Sequence, residues 1–322
     1  MNLTNNLYEE CANARNIAIS GHIRPDGDCI GSCMAMAMYL RKRIPDAQID
    51  VYLDPIGDVF ECIPGTDGIL HEMDEDAVYD VFICIDCEPY RMSFGKKAFK
   101  HAHKTINIDH HITNTSGGGN LNYVNPESGS AAELVYELID KDFLDHDIAL
   151  ALYIGIIHDT GVLQYTNVRP VTLRTVAHLM EYDLDFSNII EKTFYEKTYI
   201  QSQILGRALL ESMRFMDGRC VVSVIDRKTM QFYGADSRDL EGIANQMKNI
   251  RGVDCAIFIY EIGVQEYKIS LRTTEAVDAA KVTSVYGGGG HARAAGVTMH
   301  GTYHDVINNL SKEIAKQLTP HG

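Results

Sequence analysis

Three short apolar runs, each ending on a chemically loaded residue, constrain this chain more than any other feature. Asn16-Ile-Ala-Ile-Ser20 is followed by Gly21 and His22. Val81-Phe-Ile-Cys-Ile85 is followed by Asp86, and Thr105-Ile-Asn-Ile108 by Asp109, His110 and His111. Apolar runs of this length read as strands rather than helices, and 49–53 reads as another. Between them lie stretches with helical patterning at 30–43, 130–141 and 147–158. A further one at 170–182 has Pro170 at its first position, where a helix tolerates it best. Strands alternating with helices imply βαβ units and a mostly parallel sheet flanked by helices, an α/β fold. In such a sheet ligands bind beyond the carboxyl ends of the strands. The residues that close the three runs are therefore the first candidates for a site.

The chain has 322 residues, which fits two domains better than one core. The expected division is 1–192, a helical linker at 193–214 and a smaller α/β domain at 215–322. The linker belongs to a polar stretch, 186–213, that reads as continuously helical. In the last part, Cys220–Ile225, 255–260 and 267–272 read as strands, and 239–247 and 304–317 as helices. With 45% hydrophobic and 23% charged residues the composition is that of a folded soluble protein. The formal charge is −15, whereas binders of long duplexes carry a basic stripe. The charge is uneven. Residues 1–192 hold 14 basic and 30 acidic residues, net −16, and 193–322 hold 15 and 14, net +1. No apolar run approaches the roughly 20 residues of a membrane span. Glu9 and Glu10 stand where an export signal would be apolar. The eight cysteines then read as reduced thiols of a cytoplasmic protein. Cys84 and Cys87 form a C-x-x-C, but strand alternation places them on opposite faces. No second pair follows at zinc-like spacing, so buried structural thiols are favoured over redox or zinc chemistry.

The first constellation is His22-Ile-Arg-Pro-Asp26-Gly-Asp28, between a strand and a helix. It offers one imidazole and two carboxylates within seven residues, a mixed N/O set suited to divalent ions. For Asp28 alone an Asx turn would suffice; for the trio it would not. Asp86 closes the second run. Asp109-His110-His111 closes the third. Adjacent histidines diverge on a strand, so one could ligate while the other faces substrate, and Asp109 could hold a ring N–H and fix its tautomer. Asp159 ends an apolar helix, where a carboxylate opposes the helix dipole unless a cation offsets it; His158 beside it reads as structural. Six residues of ligand type (His22, Asp26, Asp28, Asp86, His110 and Asp159) are more than one open metal ion uses. Two ions sharing a bridging carboxylate would use them, a layout suited to phosphoester hydrolysis. In the last part, Gly287-Gly-Gly-Gly290-His291 with Arg293 can display backbone N–H groups as a phosphate nest. Ser270 and Arg272 share one strand face upstream, with Arg suited to bidentate phosphate contact.

Together these five ordered motifs resemble the DHH/DHHA1 phosphoesterases, over about residues 15 to 300. His22-x-x-Pro25-Asp26-x-Asp28-x-x-Gly31-Ser32 is similar to the first family motif. Asp86 with Arg91 matches the second, Asp109-His110-His111 the third and Asp159-Thr160-Gly161 the fourth. Gly288-Gly289-Gly290-His291 matches the DHHA1 signature. The resemblance implies two divalent ions, most naturally Mn, with Mg or Co as substitutes. His22, Asp26 and Asp86 would hold one; Asp28, Asp86, His110 and Asp159 would hold the other. His111 would contact the scissile phosphate or leaving oxygen, and Asp109 would orient a histidine. Ser270, Arg272, Gly288, Gly289, Gly290, His291, Arg293 and Arg91 would bind substrate across an interdomain cleft. Cys87 departs from the usual Thr or Ser, and His158 precedes the fourth motif's Asp.

The glycine motif disfavours family II pyrophosphatases. The lack of a further nucleic-acid domain disfavours RecJ-type exonucleases, and the lack of membrane segments disfavours the anchored cyclic dinucleotide enzymes. What remains resembles the stand-alone NrnA-type nanoRNases, which degrade very short single-stranded RNA to mononucleotides and convert pAp to AMP. Such an enzyme is a 3′-5′ oligoribonuclease and bisphosphate nucleotidase, in this family commonly a homodimer. An enzyme acting on cyclic di-AMP, pApA or pGpG is the alternative within the class. A non-catalytic nucleotide-binding module is the alternative outside it, and it predicts broken metal motifs.

Overall fold

A computed structural model describes residues 7–318; residues 1–6 and 319–322 of the expected domains lie outside it. Contacts divide the chain between Glu196 and Lys197. The N-terminal unit opens with helix α1 (Leu7–Cys11) and strand β1 (Asn16–Ser20). Helix α2 (Gly27–Arg43), β2 (Gln48–Tyr52), β3 (Val81–Ile85), α3 (Lys96–His101), β4 (Lys104–Asp109) and β5 (Leu121–Val124) follow. Helices α4 (Ala131–Leu138), α5 (His146–Asp159), α6 (Pro170–Met180) and α7 (Phe186–Ile190) complete it. All five strands are parallel, in the order β2-β1-β3-β4-β5. The order reverses between β1 and β3. The loops leaving those strands therefore part in opposite directions and open a crevice at their carboxyl ends.

Alternation along the strands builds two cores. Val81, Ile83 and Ile85 join α2, α4 and α5 on one face; Phe82 and Cys84 join Ala98 and Phe99 of α3 on the other. From Ile148 to Ile157 helix α5 is apolar all round because it is buried all round. It lies so close to α2 that a Cβ at Gly31 would stand 2.3 Å from the Ala151 carbonyl oxygen and 3.0 Å from the Gly155 nitrogen. Helix α2 begins at Gly27 rather than 30, because the Asp26 side chain caps it by accepting from the N–H groups of Asp28 and Cys29. Asp28 is thus a helical residue of the first turn.

The stretch 186–213 is not one helix. After α7 comes a π-helical turn at Glu191–Tyr195, and Glu196 is extended. Helix α8 (Tyr199–Leu210) then starts afresh at Thr198, whose hydroxyl accepts from the Gln201 N–H while Gln201 Oε1 accepts from the Thr198 N–H. This capping box wins over continuation.

The C-terminal unit continues through β6 (Met213–Phe215), β7 (Cys220–Ile225), α9 (Arg227–Tyr233), α10 (Ile243–Lys248), β8 (Cys255–Gly263) and β9 (Glu266–Thr273). It closes with α11 (Ala279–Ser284), β10 (Gly289–His291), β11 (Ala294–His300) and α12 (Tyr303–Ala315). Its six-stranded sheet runs β10-β11-β9-β8-β7-β6, antiparallel except between β7 and β8. One face packs on α11 and α12, the other on α8 and α10. Among the described residues no helix is long and apolar enough to cross a membrane.

Candidate active site

The reversal in strand order brings the first and second motifs together. The segment after β3 pairs back on the loop after β1: the Ile23 N–H donates to the Arg91 carbonyl at 3.3 Å, and His22 bridges to Met92. His22 Nε2 then lies 3.4 Å from Asp86 Oδ2 and 3.6 Å from Asp26 Oδ1. The next strand over supplies His110, whose Nε2 is 3.4 Å from Asp86 Oδ1 and 3.7 Å from Asp28 Oδ2 and from Asp159 Oδ2. Asp86 therefore turns one carboxylate oxygen toward each imidazole. It sits in the left-handed region at φ 63°, which costs a residue with a Cβ about 1 kcal/mol or more. Its N–H is anchored on the Ile108 carbonyl at 2.8 Å.

This turn also alters two expectations. Cys87 lies past the end of β3 and swings back, so Cys84 Sγ and Cys87 Sγ stand 3.7 Å apart rather than on opposite faces. Both thiols are buried, and burial pushes the Cys84 thiol up, as befits inert packing. His110 and His111 likewise lie beyond the alternation of β4, with ring centroids 4.8 Å apart. Both approach Asp86 Oδ1, His111 Nδ1 at 3.6 Å; they converge instead of diverging.

Asp109 stands behind the cluster, fully buried. Its Oδ1 accepts from the N–H of His111 at 3.1 Å and pairs with His111 Nδ1 at 2.8 Å; its Oδ2 accepts from Asn114 Nδ2 at 2.7 Å. The histidine it orients is thus His111, through Nδ1, which leaves Nε2 as the nitrogen for ligand chemistry. Asn114 was not legible as a site residue, nor was Asn107. Asn107 accepts from Asn114 and donates to the carbonyls of Cys84 and Cys87, tying the Asp86 turn to the His111 support. A buried Asn inside the apolar run 105–108 was the available signal. Asp28 is held by the N-terminus of α4, its oxygens accepting from Ala131 at 2.7 Å and Ala132 at 2.9 Å. Asn167 donates to Asp159 Oδ2 at 3.3 Å. His158 packs its ring against Phe60 and Phe194 and bonds Thr193 through Nε2. A Cβ on Gly27 would meet its ring at 2.4 Å, so its role here is packing.

Crowded this closely, the carboxylates and imidazoles shift one another's pKa values. Burial works against the imidazolium of His22, but the carboxylates of Asp26 and Asp86, 3.6 and 3.4 Å from its Nε2, outweigh it and push the pKa far up. The same balance, through Asp86, Asp28 and Asp159, raises His110 to about 10. Burial would raise Asp86, yet His110 and His22 hold it below the usual carboxylate range. Burial, with Asp86 nearby, pushes Asp28 up and Asp159 to about 6.

The set fits divalent cations. Ligand atoms about 2.1 Å from a shared ion lie about 3.0–3.4 Å apart in octahedral or tetrahedral arrangement, close to the separations observed. Asp86 Oδ1 is buried with no hydrogen-bond partner, an arrangement proteins avoid unless another ligand satisfies it. Asp86–His110–His111 and Asp28–His110–Asp159 each bring their ligand atoms within 4.8 Å of one another.

In the C-terminal unit the glycine run is a strand and turn rather than a nest. The N–H groups of Gly287 and Gly288 are spent on the carbonyls of Ser284 and Thr283. Gly289 and Gly290 run along β11 at the sheet's edge. Gly290, at φ 141°, and Gly288 allow that approach: a Cβ would stand 2.4 Å from the Ala294 oxygen and 2.5 Å from the Gly296 oxygen, respectively. All three residues of β10, His291 among them, are exposed. Ser270 and Arg272 share the half-buried face of β9. Arg272 Nε donates to Asn245 Oδ1 on α10 at 2.8 Å, a positioning partner that strand patterning could not reveal. Arg293 Nη1 donates to the carbonyls of Thr274 and Val277, bracing the loop before α11. Arg91 ends an exposed 3-10 turn beside Ile23.

Residues 16–156 match the DHH family, N-terminal domain, and residues 217–319 match the DHHA1 domain. The chain is 27% identical over 314 residues to the bifunctional oligoribonuclease and PAP phosphatase NrnA of Thermus thermophilus, covering 93% of this chain and 90% of that protein. The fold is similar to that of an exopolyphosphatase-related protein from Bacteroides fragilis, with TM-score 0.88, 23% identity and coverage of 96% and 94%. It is more distantly similar to RecJ in complex with Mn2+ from Thermus thermophilus, with TM-score 0.55, 12% identity and coverage of 96% and 53%.

Proposed function

The chain belongs to the DHH/DHHA1 family, and on that premise we propose that it is a metal-dependent phosphoesterase. Its substrates are very short single-stranded RNAs, hydrolysed to mononucleotides, and pAp, converted to AMP. The observation that carries the reading is Asp86, whose two oxygens face His22 and His110 separately while Oδ1 stays buried without a partner. His22, Asp26 and Asp86 would hold one ion, and Asp28, Asp86, His110 and Asp159 a second. Manganese suits this imidazole and carboxylate set, with magnesium or cobalt as substitutes. Ions held there would supply Lewis acidity at a phosphoryl oxygen and lower the pKa of an attacking water.

The chain's own groups do the rest. Asp109 fixes His111 through Nδ1, so His111 Nε2 would meet the scissile phosphate or hand a proton to the leaving oxygen. Asn245 holds Arg272, and Arg272, Ser270 and His291, with the strand edge at Gly289 and Gly290, would grip the substrate's other phosphate groups. Gly288 shapes that edge, Arg293 supports it, and Arg91 lies beside the first motif. The excess of acids at 1–192 repels long polyanions, which favours substrates of a few nucleotides. The same reading expects a homodimer in the cytoplasm, a reducing compartment in which the eight cysteines would stay free.

The test is a panel of pAp, pApA, RNAs of three to five residues, cyclic di-AMP and a long duplex. The expected result is mononucleotides from pAp, pApA and the short RNAs, with the duplex untouched. Hydrolysis of cyclic di-AMP alone would replace this substrate class with cyclic dinucleotides.

A further inference from the structure

A buried cysteine is ordinarily a small hydrophobe, but Cys29 lies beside residues proposed above to hold a metal ion. It is fully buried in the first turn of α2, with its N–H bonded to Asp26 Oδ1 at 3.1 Å. Its Sγ, a ring nitrogen of His22 and a carboxylate oxygen of Asp86 all lie within 4.8 Å of one another. The space is made by Gly21, where a Cβ would stand 2.1 Å from that sulfur. On this side Asp86 presents Oδ2, 3.4 Å from His22 Nε2, while its partnerless Oδ1 faces His110. The grouping on the other side, Asp28, His110 and Asp159, contains only oxygen and nitrogen donors.

We infer that Cys29 is a sulfur donor to the ion held by His22, Asp26 and Asp86. The inference rests on the metal reading above and deepens it. It makes the two ion positions unequal. A thiolate biases the first toward thiophilic ions such as Zn2+ or Co2+, while the second keeps a harder set suited to Mn2+ or Mg2+. As the metal–sulfur bond forms, the S–H bond breaks and its proton leaves to water, with no change of oxidation state.

Cobalt(II) titration of the chelator-stripped full chain tests this without reference to turnover. The wild type is expected to develop a near-ultraviolet sulfur-to-cobalt charge-transfer band together with visible d–d absorption. Zn2+ should remove both. Cys29→Ser and Cys29→Ala should lose the near-ultraviolet band and keep visible absorption. Cys33→Ala, one turn further along α2, should retain both. Zn2+ affinity, measured against Mn2+, should fall about tenfold or more in Cys29→Ser. Visible absorption in the wild type without the near-ultraviolet band would overturn the role of Cys29 and leave the metal centre standing. So would a band that survives Cys29→Ser. Failure of the wild type to take up cobalt would overturn both readings.

Discussion

Replacing Asp86 with alanine should reduce turnover at least about a thousandfold, while the protein stays folded. The size follows from position. Among the described residues Asp86 is the one carboxylate within 3.4 Å of both His22 Nε2 and His110 Nε2, so its loss weakens both proposed ion positions at once. Loss of one electrostatic stabiliser of a transition state already costs about 10²–10³ in rate, and a thousandfold is about 4 kcal/mol of barrier. The fold should survive because the side chain sits beyond the end of β3 and its removal relieves like-charge crowding with Asp28 and Asp159. Alanine at φ 63° is strained, by about 1–2 kcal/mol, less than the usual stability of a domain. Asp86→Asn, which keeps the shape and loses the charge, should fall nearly as far. Turnover within tenfold of wild type in either variant, with intact thermal unfolding, would remove the bridging role.

The second large effect is structural. Gly31→Val should lower stability by about 3 kcal/mol or more, beyond the ordinary range for overpacking because the obstacle is backbone. The new side chain would meet the Ala151 carbonyl oxygen and the Gly155 nitrogen of α5, neither of which can turn away as a side-chain tip can. For a unit of this size that is a fall in Tm of about 6–12 °C. Function should suffer in the surviving folded fraction too, since α2 carries Asp28 and α5 ends at Asp159. Prying the helices apart would separate two carboxylates that now lie 3.7 Å from His110 Nε2. Gly206→Ala is the control: it lies inside α8 with nothing within 4 Å of an added Cβ, and should be neutral or stabilising by about 0.5–1 kcal/mol. Equal unfolding midpoints for Gly31→Val and wild type would contradict the close approach of α2 and α5.

What could be read from residues alone was whatever local patterning decides. The apolar runs ending at Ser20, Ile85 and Ile225 coincide with β1, β3 and β7. The ligand-type residues were visible because His22, Asp86 and Asp109-His110-His111 follow the apolar runs at 16–20, 81–85 and 105–108. The strand order was not visible, since it depends on which run pairs with which, and it alone explains why His22 meets Asp86. Strand β5 was missed because Leu121–Val124 is short and half-buried throughout. Alternation misplaced Cys87 and the two histidines because all three lie past strand ends, where the period of two no longer holds. The glycine run hid an edge strand, since glycine carries no side-chain pattern to alternate. The break at 196–198 was legible in Thr198-x-x-Gln201, a capping signature inside an apparently unbroken helix. Asn107, Asn114 and Asn245 are the supports sequence could not supply: each acts through a partner distant in the chain.

The central claim is that a pair of divalent ions centred on Asp86 drives phosphoester hydrolysis. Its most direct test is pApA hydrolysis by chelator-stripped full-length protein as Mn2+ is added back, with bound metal counted in the same samples. The account predicts no mononucleotide release without metal, and activity that rises until two ions are bound per chain. Release of AMP by the metal-free protein, or full activity at one ion per chain, would contradict it.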